Sequence, residues 1–208
     1  MAEIIDVADG LWVWRTRHPG WTAGEGWDSL VTSTCLRSGT ETVLLDPLAP
    51  PPGCGEAWAR IDADPPTLIV VLKPDHVRDV DLLARRYGAR SFGPHLFYRD
   101  DVPRTELEPI APGDQLPGGL VALRDGRERQ ETPIWCSQQR ALVFADALTA
   151  PEPDGALRVW DSPAHEQRVL PALRALLELD FEHVIVSHGA PVHDRAAFER
   201  ALTLPPHR

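Results

Sequence analysis

Three short segments place metal-ligating or proton-transferring side chains directly after apolar runs: Lys73-Pro74-Asp75-His76, Phe144-Ala145-Asp146 and Ser187-His188-Gly189. Imidazoles and carboxylates bind zinc, manganese and iron, and the same groups carry protons in general acid–base chemistry. A strand end is rigid, and loops leaving several of them can converge on one point, as a metal or catalytic site requires. Singly, each segment has an ordinary structural reading. A histidine there is commonly a hydrogen-bonded structural residue, and an aspartate commonly caps the next helix. Their joint order along the chain is what points to a site. Two outlying groups add to it. His18-Pro19-Gly20-Trp21 and Trp27 lie in one connection, where the indoles could wall an apolar pocket or form satellite core and His18 could reach a metal. Arg127 and Arg129 could bind a substrate carboxylate or lie on solvated surface.

The elements that must position these residues are mostly strands. Ile4 to Val7 and Leu11 to Trp14 flank Ala8-Asp9-Gly10 and predict a hairpin. Leu30 to Leu36 and Thr42 to Leu45 follow as strands, the second ending on Asp46. A short helix is expected near Glu56 to Ile61. Leu68 to Leu72 is a continuous apolar run, as for a strand covered on both faces. Val77, Val80, Leu83 and Ala84 have helical spacing, and Gly88 stops that helix. Ser91 to Gly93 is a brief strand, and 94–119 reads as loops with short strands. Leu120 to Leu123, Ile134 to Cys136 and Leu142 to Phe144 are further strands, the last leading into Asp146. Pro163 to Leu179 predicts an amphipathic helix, Val184 to Val186 a buried strand and Arg195 to Leu202 a closing helix. Each half mixes strands with helices, which suits a β-sandwich covered by helices better than a doubly wound sheet. Asp46 and Asp146 both close an apolar strand, a weak twofold echo.

From the hairpin to Ser187-His188-Gly189-Ala190-Pro191, the pattern resembles the metallo-β-lactamase superfamily. Members carry His-x-His-x-Asp-His after an apolar strand, then a histidine before Thr-Pro, an aspartate at a strand end, and a Gly-His-Gly-like motif. Asp75-His76 matches the closing Asp-His, Asp146 the bridging aspartate and His188 the last histidine. Val71 and Lys73 stand where the first two histidines belong, and Glu131-Thr132-Pro133 stands for His-Thr-Pro. The resemblance thus implies an α+β, four-layer αβ/βα sandwich over 1–208 as one domain, with its first metal site lost and its second retained. Asp75, His76, Asp146 and His188 would hold one divalent metal, zinc first, with a metal-free hydrogen-bonded relic as the alternative. Lys73, Asp75 and Glu131 would complete the catalytic set. A Lys73–Glu131 ion pair in place of the first metal is one expectation; a Lys73 pointing to solvent is the other.

Composition narrows the function classes. Of the 208 residues 43% are hydrophobic and 25% charged, enough to bury a core without cross-links. Lys and Arg total 21 against 31 for Asp and Glu, so a surface of net charge −10 repels a phosphate backbone, and no nucleic-acid partner is expected. Cys35, Cys54 and Cys136 are too scattered for a disulfide framework and read as thiols of a reducing compartment. The N-terminus lacks the basic and apolar regions of a signal peptide, no run approaches membrane-spanning length, and a cytoplasmic location with no membrane partner is expected. The leading expectation is a mononuclear metal-dependent hydrolase of a small ester, thioester or lactone-like molecule. The alternatives are a non-catalytic binding or regulatory protein on a degenerate scaffold, and a metal-free enzyme using Lys73 or Glu131 as acid or base.

Overall fold

The structure is a computed structural model that describes residues 2–127, 131–151 and 154–208. Strand β1 (Glu3–Ala8) and β2 (Leu11–Arg17) form the hairpin, followed by β3 (Leu30–Ser38) and β4 (Glu41–Leu45). Helix α1 (Gly55–Ala63), β5 (Leu68–Val70), α2 (Val80–Tyr87), β6 (Arg90–Gly93) and β7 (Glu108–Pro109) complete the first half. The second half runs β8 (Gln115–Leu116), β9 (Leu120–Ala122), β10 (Ile134–Cys136), β11 (Ala141–Phe144), β12 (Leu148–Thr149), β13 (Arg158–Val159), α3 (Leu170–Ala175), β14 (His183–Val186) and α4 (Arg195–Ala201). The first seven strands pair in chain order into one sheet; the second sheet is β14-β11-β10-β9-β8, and β12 pairs with β13 separately.

Alternation along the strands builds the layers. Val43, Leu45, Leu68 and Val70 of the first sheet meet Ala141, Val143 and Ile185 of the second in one buried core. The intervening residues point the other way, as a period of two demands. Leu44, Ile69 and Val71 pack on Ile61 of α1 and Val80 and Leu83 of α2. Leu142, Phe144, Val184 and Val186 pack on Leu173 of α3 and Phe198 and Ala201 of α4. Three cores between four layers make an α+β sandwich of helix, sheet, sheet and helix, as expected.

Differences from the sequence reading have local causes. The strand expected to run to Leu72 leaves its ladder earlier, because the Leu72 N–H goes to Asp46 Oδ1 at 2.7 Å rather than to a backbone carbonyl. Helix α2 begins at Val80 because Arg78 takes φ 45°, which no helix tolerates. Gly88 ends it in the left-handed conformation, as expected. The helix expected over 163–179 is not uniform: Pro171 has no N–H, and before it the turn widens so that Leu170 N–H reaches His165 O. All three cysteines are free, and burial pushes the Cys35 and Cys136 thiols up to about 12. No helix among the described residues is long and apolar enough to cross a membrane.

Candidate metal centre

Asp46, closing β4, ties together the segments that carry the site. Its N–H bonds Val70 O (3.0 Å), and its side chain accepts from Leu72 N through Oδ1 and meets His76 Nδ1 through Oδ2 at 2.7 Å. Its carbonyl accepts from Arg78 Nη1 (2.6 Å), which also donates to Thr32 O (2.9 Å). His76 N–H turns back to Lys73 O (3.0 Å). The carboxylate fixes the imidazole with Nδ1 protonated and directs Nε2 inward, an arrangement typical of metal-bound histidines. The two strand-end aspartates of the twofold echo therefore meet on one ring: His76 Nε2 lies 3.3 Å from Asp146 Oδ1.

His188 follows β14 and enters from the second sheet. Its carbonyl accepts from Ala150 N (2.8 Å) and Thr149 Oγ1 (2.9 Å), while Thr32 N donates to Ser187 O (2.8 Å). Gly189 has φ +136°, and a Cβ there would lie 2.4 Å from Ala150 O, so only glycine allows this close approach. His188 Nε2 ends 3.2 Å from the same Asp146 Oδ1. That oxygen is buried and takes no hydrogen bond, although two imidazole nitrogens face it. Ligand atoms of His76, Asp146 and His188 all lie within 4.8 Å of one another. A buried polar atom without a partner is costly, and an ion between these three groups would remove that cost. Two imidazoles and one carboxylate, with a fourth position open, form a donor set used by catalytic zinc. The residues fit a divalent metal.

The fourth expected ligand is engaged elsewhere. Asp75 holds the Lys73 ammonium with both oxygens at 2.5 Å, and Lys73 Nζ also lies 2.7 Å from Asp146 Oδ2. Lys73, only 4% exposed, therefore neither points to solvent nor pairs with Glu131. The expected Lys73–Glu131 pair is corrected to a Lys73 bridge between Asp75 and Asp146. Burial alone would lower the Lys73 pKa, but Asp146 and Asp75 raise it, keeping the ammonium charged. Glu131 serves the backbone: it accepts from the amides of Ala145 (3.0 Å), Asp146 (3.1 Å) and Ala147 (3.1 Å). It holds Asp146 in position through these three amide bonds. Burial, together with Asp125 and Asp146, pushes it up to about 8. Arg127 is buried rather than solvated, donates to Asp146 O (2.5 Å) and lies 3.8 Å from Glu131. It is not available to a substrate carboxylate; Arg129 lies outside the described residues.

Electrostatics separate the trio. Burial opposes charge on His76, yet Asp146 and Asp46 bring it up to about 9. Burial pushes His188 down despite Asp146, leaving a neutral imidazole. Burial would raise Asp146, but His76, His188 and Lys73 hold it well below the usual carboxylate range.

Aromatic rings cover His188. Trp27 lies 4.9 Å from it and Trp160 5.7 Å, centroid to centroid. Trp21 donates its indole N–H to Trp27 O (2.9 Å), bracing that loop. His18 packs edge-on against Trp27 (5.4 Å), accepts from Gly20 N through Nδ1 (3.2 Å), and does not join the ligand trio. Asp46, Arg78 and Trp160 went unassigned in the sequence. Only the Asp46–Asp146 echo gave a signal. A separate cleft of about 580 Å3 borders Glu131, Thr132 and Asp125, but none of His76, Asp146 and His188 lines it.

No family model and no curated protein sequence matches the chain. Among solved structures it is similar to the metallo-β-lactamase from Hirschia baltica (18% identity, TM-score 0.67, covering 97% of this chain and 96% of that one). It is also similar to the mono-zinc form of the metallo-β-lactamase FIM-1 from Pseudomonas aeruginosa (16%, 0.69, covering 98% and 94%). A third similar structure is the metal-soaked Flv1 flavodiiron core from Synechocystis sp. PCC6803 (15%, 0.67, covering 97% and 61%). The chain has the metallo-β-lactamase fold.

Proposed function

We propose that the chain is a mononuclear metal-dependent hydrolase of a small ester, thioester or lactone-like substrate, with His76, Asp146 and His188 as the metal ligands. The observation that carries this is the buried, unbonded Asp146 Oδ1 held between two imidazole Nε2 atoms at 3.3 and 3.2 Å. A bound zinc ion would supply Lewis acidity at its open position, for polarising a carbonyl and activating water. The chain's own residues do the rest. Asp46 would keep the His76 Nδ1 proton, so that the proton an ion displaces is the one on Nε2. Lys73 places a fixed positive charge between Asp75 and Asp146, where it can steady negative charge developing on a substrate oxygen. Trp27 and Trp160 offer apolar faces beside His188 to orient the substrate and exclude bulk water. The FIM-1 mono-zinc form supports a one-metal state of this fold.

A second reading, a non-catalytic binding protein, is favoured by the charge balance. Asp46, Asp75 and Asp146 already face Lys73, Arg78 and His76, so the cluster can be neutral without an ion. Protein purified without chelators and assayed on aryl ester, thioester and lactone panels separates the two. Hydrolysis that tracks zinc content and is lost in Asp146→Asn supports the enzyme. No turnover at any zinc content supports the binding protein, and zinc-independent turnover equal in both forms refutes the metal-dependent reading.

A further inference from the structure

We propose that His183 and His193 form a second, surface metal site, separate from the His76–Asp146–His188 centre, that takes a divalent transition-metal ion and prefers Cu2+. The two imidazole Nδ1 atoms lie 3.0 Å apart, with ring centroids at 5.1 Å and planes at 78°. Nothing in the proposed hydrolytic chemistry uses them.

The backbone presents both rings. Val184 and Val192 exchange two N–H···O bonds, 2.8 and 2.9 Å long, in an isolated antiparallel bridge. His183 and His193 are the next pair outward, where facing side chains approach closest. Each is anchored on its far side. His183 N donates to Arg140 O (3.1 Å) and the residue pairs with Ala141 in the second sheet. His193 precedes Asp194, whose carboxylate accepts from Ala196 N (2.8 Å) to cap α4. Little ordering therefore remains for an ion to impose.

The chemistry suits a tetragonal ion. Two bonds of about 2.0 Å to nitrogens 3.0 Å apart enclose roughly a right angle, the relation of neighbouring ligands around Cu2+ or Ni2+. Two imidazoles leave the remaining positions to water, and Cu2+ leads the order of affinity for such a set. The surrounding charges permit it. Glu182 Oε2 lies 4.0 Å from His183 Nε2, where it favours the tautomer that frees Nδ1. Arg140, the nearby cation, is matched by Asp180 (2.7 Å) and Glu182 (2.5 Å). Burial and His193 lower the His183 pKa, consistent with a neutral ligand.

The test is a Cu2+ titration of the full chain, followed by electron paramagnetic resonance, on wild type, His193→Ala, His183→Gln and His188→Ala. The expected result is that His193→Ala and His183→Gln each lose one copper equivalent, or bind it at least about tenfold more weakly. With the other centre disabled by His188→Ala, hyperfine coupling to two imidazole nitrogens should disappear when His193→Ala or His183→Gln is added. His193 is exposed, so its variant should keep the wild-type melting temperature. Equal copper uptake and unchanged spectra in wild type and His193→Ala would overturn the proposal and leave the rings sharing a proton. His188→Ala reports on the other centre, so failure there is seen separately.

Discussion

Lys73 and Glu131 can be set against His76 and His188, since both pairs act on Asp146. In the first pair the polar groups are saturated: Lys73 bridges two carboxylates, and Glu131 accepts from three consecutive amides. In the second pair, two nitrogens converge on an oxygen that neither bonds. Around the first pair, an ammonium and a backbone-bound carboxylate make Asp146 part of the internal structure. The second pair leaves Asp146 Oδ1 charge-stabilised but without an aligned hydrogen-bond donor. The same carboxylate is thus tied down on one side by the chain's own charges and amides, and on the other faces two imidazoles that could share an ion with it.

The largest effect that could break this comparison is on stability. Glu131→Ala strips acceptors from the amides of Ala145, Asp146 and Ala147 and should cost about 3–5 kcal/mol in urea unfolding. Unchanged stability with lost turnover would instead make Glu131 catalytic. Next, Lys73→Met leaves Asp75 and Asp146 facing each other without their cation. The metal-free protein should lose about 2–4 kcal/mol, and zinc should bind more tightly once the competing charge is gone. Weaker zinc binding by this variant, followed by calorimetry, would show that Lys73 supports the ion rather than replacing one.

How far these roles were legible depends on whether a residue's partner is local. The alternation of Val43, Leu44 and Leu45, or of Leu68, Ile69 and Val70, carries its own period and yields the sandwich directly. Asp146, His76 and His188 stand out in the sequence because each follows an apolar run, and the fold brings their ligand atoms within 4.8 Å of one another. Asp75 stands apart from the trio because Lys73, two residues away, takes its carboxylate, and sequence order cannot say which neighbour wins. Asp46 acts on a ring 30 residues on, and Arg78 depends on a positive φ that no local pattern marks. Trp160 reaches His188 only through the packing of the β12–β13 hairpin region.

Smaller effects sharpen the same contrast. Asp46→Asn should reduce zinc affinity about 10–100-fold through the loss of a carboxylate partner to His76, with the fold retained by circular dichroism. No change would mean that His76 is not a ligand. The pH dependence follows from His76, whose pKa is raised from 6.5 to about 9. In the metal-free protein its contribution to stability is complete below 6.5 and is lost as pH rises through about 9. An ion must displace that proton, so zinc affinity should climb about tenfold per pH unit across the same window. A flat profile would place the proton elsewhere.

The most direct measurement is anomalous scattering at the zinc edge from crystals grown with excess zinc. A peak should lie between His76 Nε2, Asp146 Oδ1 and His188 Nε2, with Lys73 still bridging Asp75 and Asp146. No peak there, with Asp146 Oδ1 hydrogen-bonded to the imidazoles instead, would contradict a retained metal site.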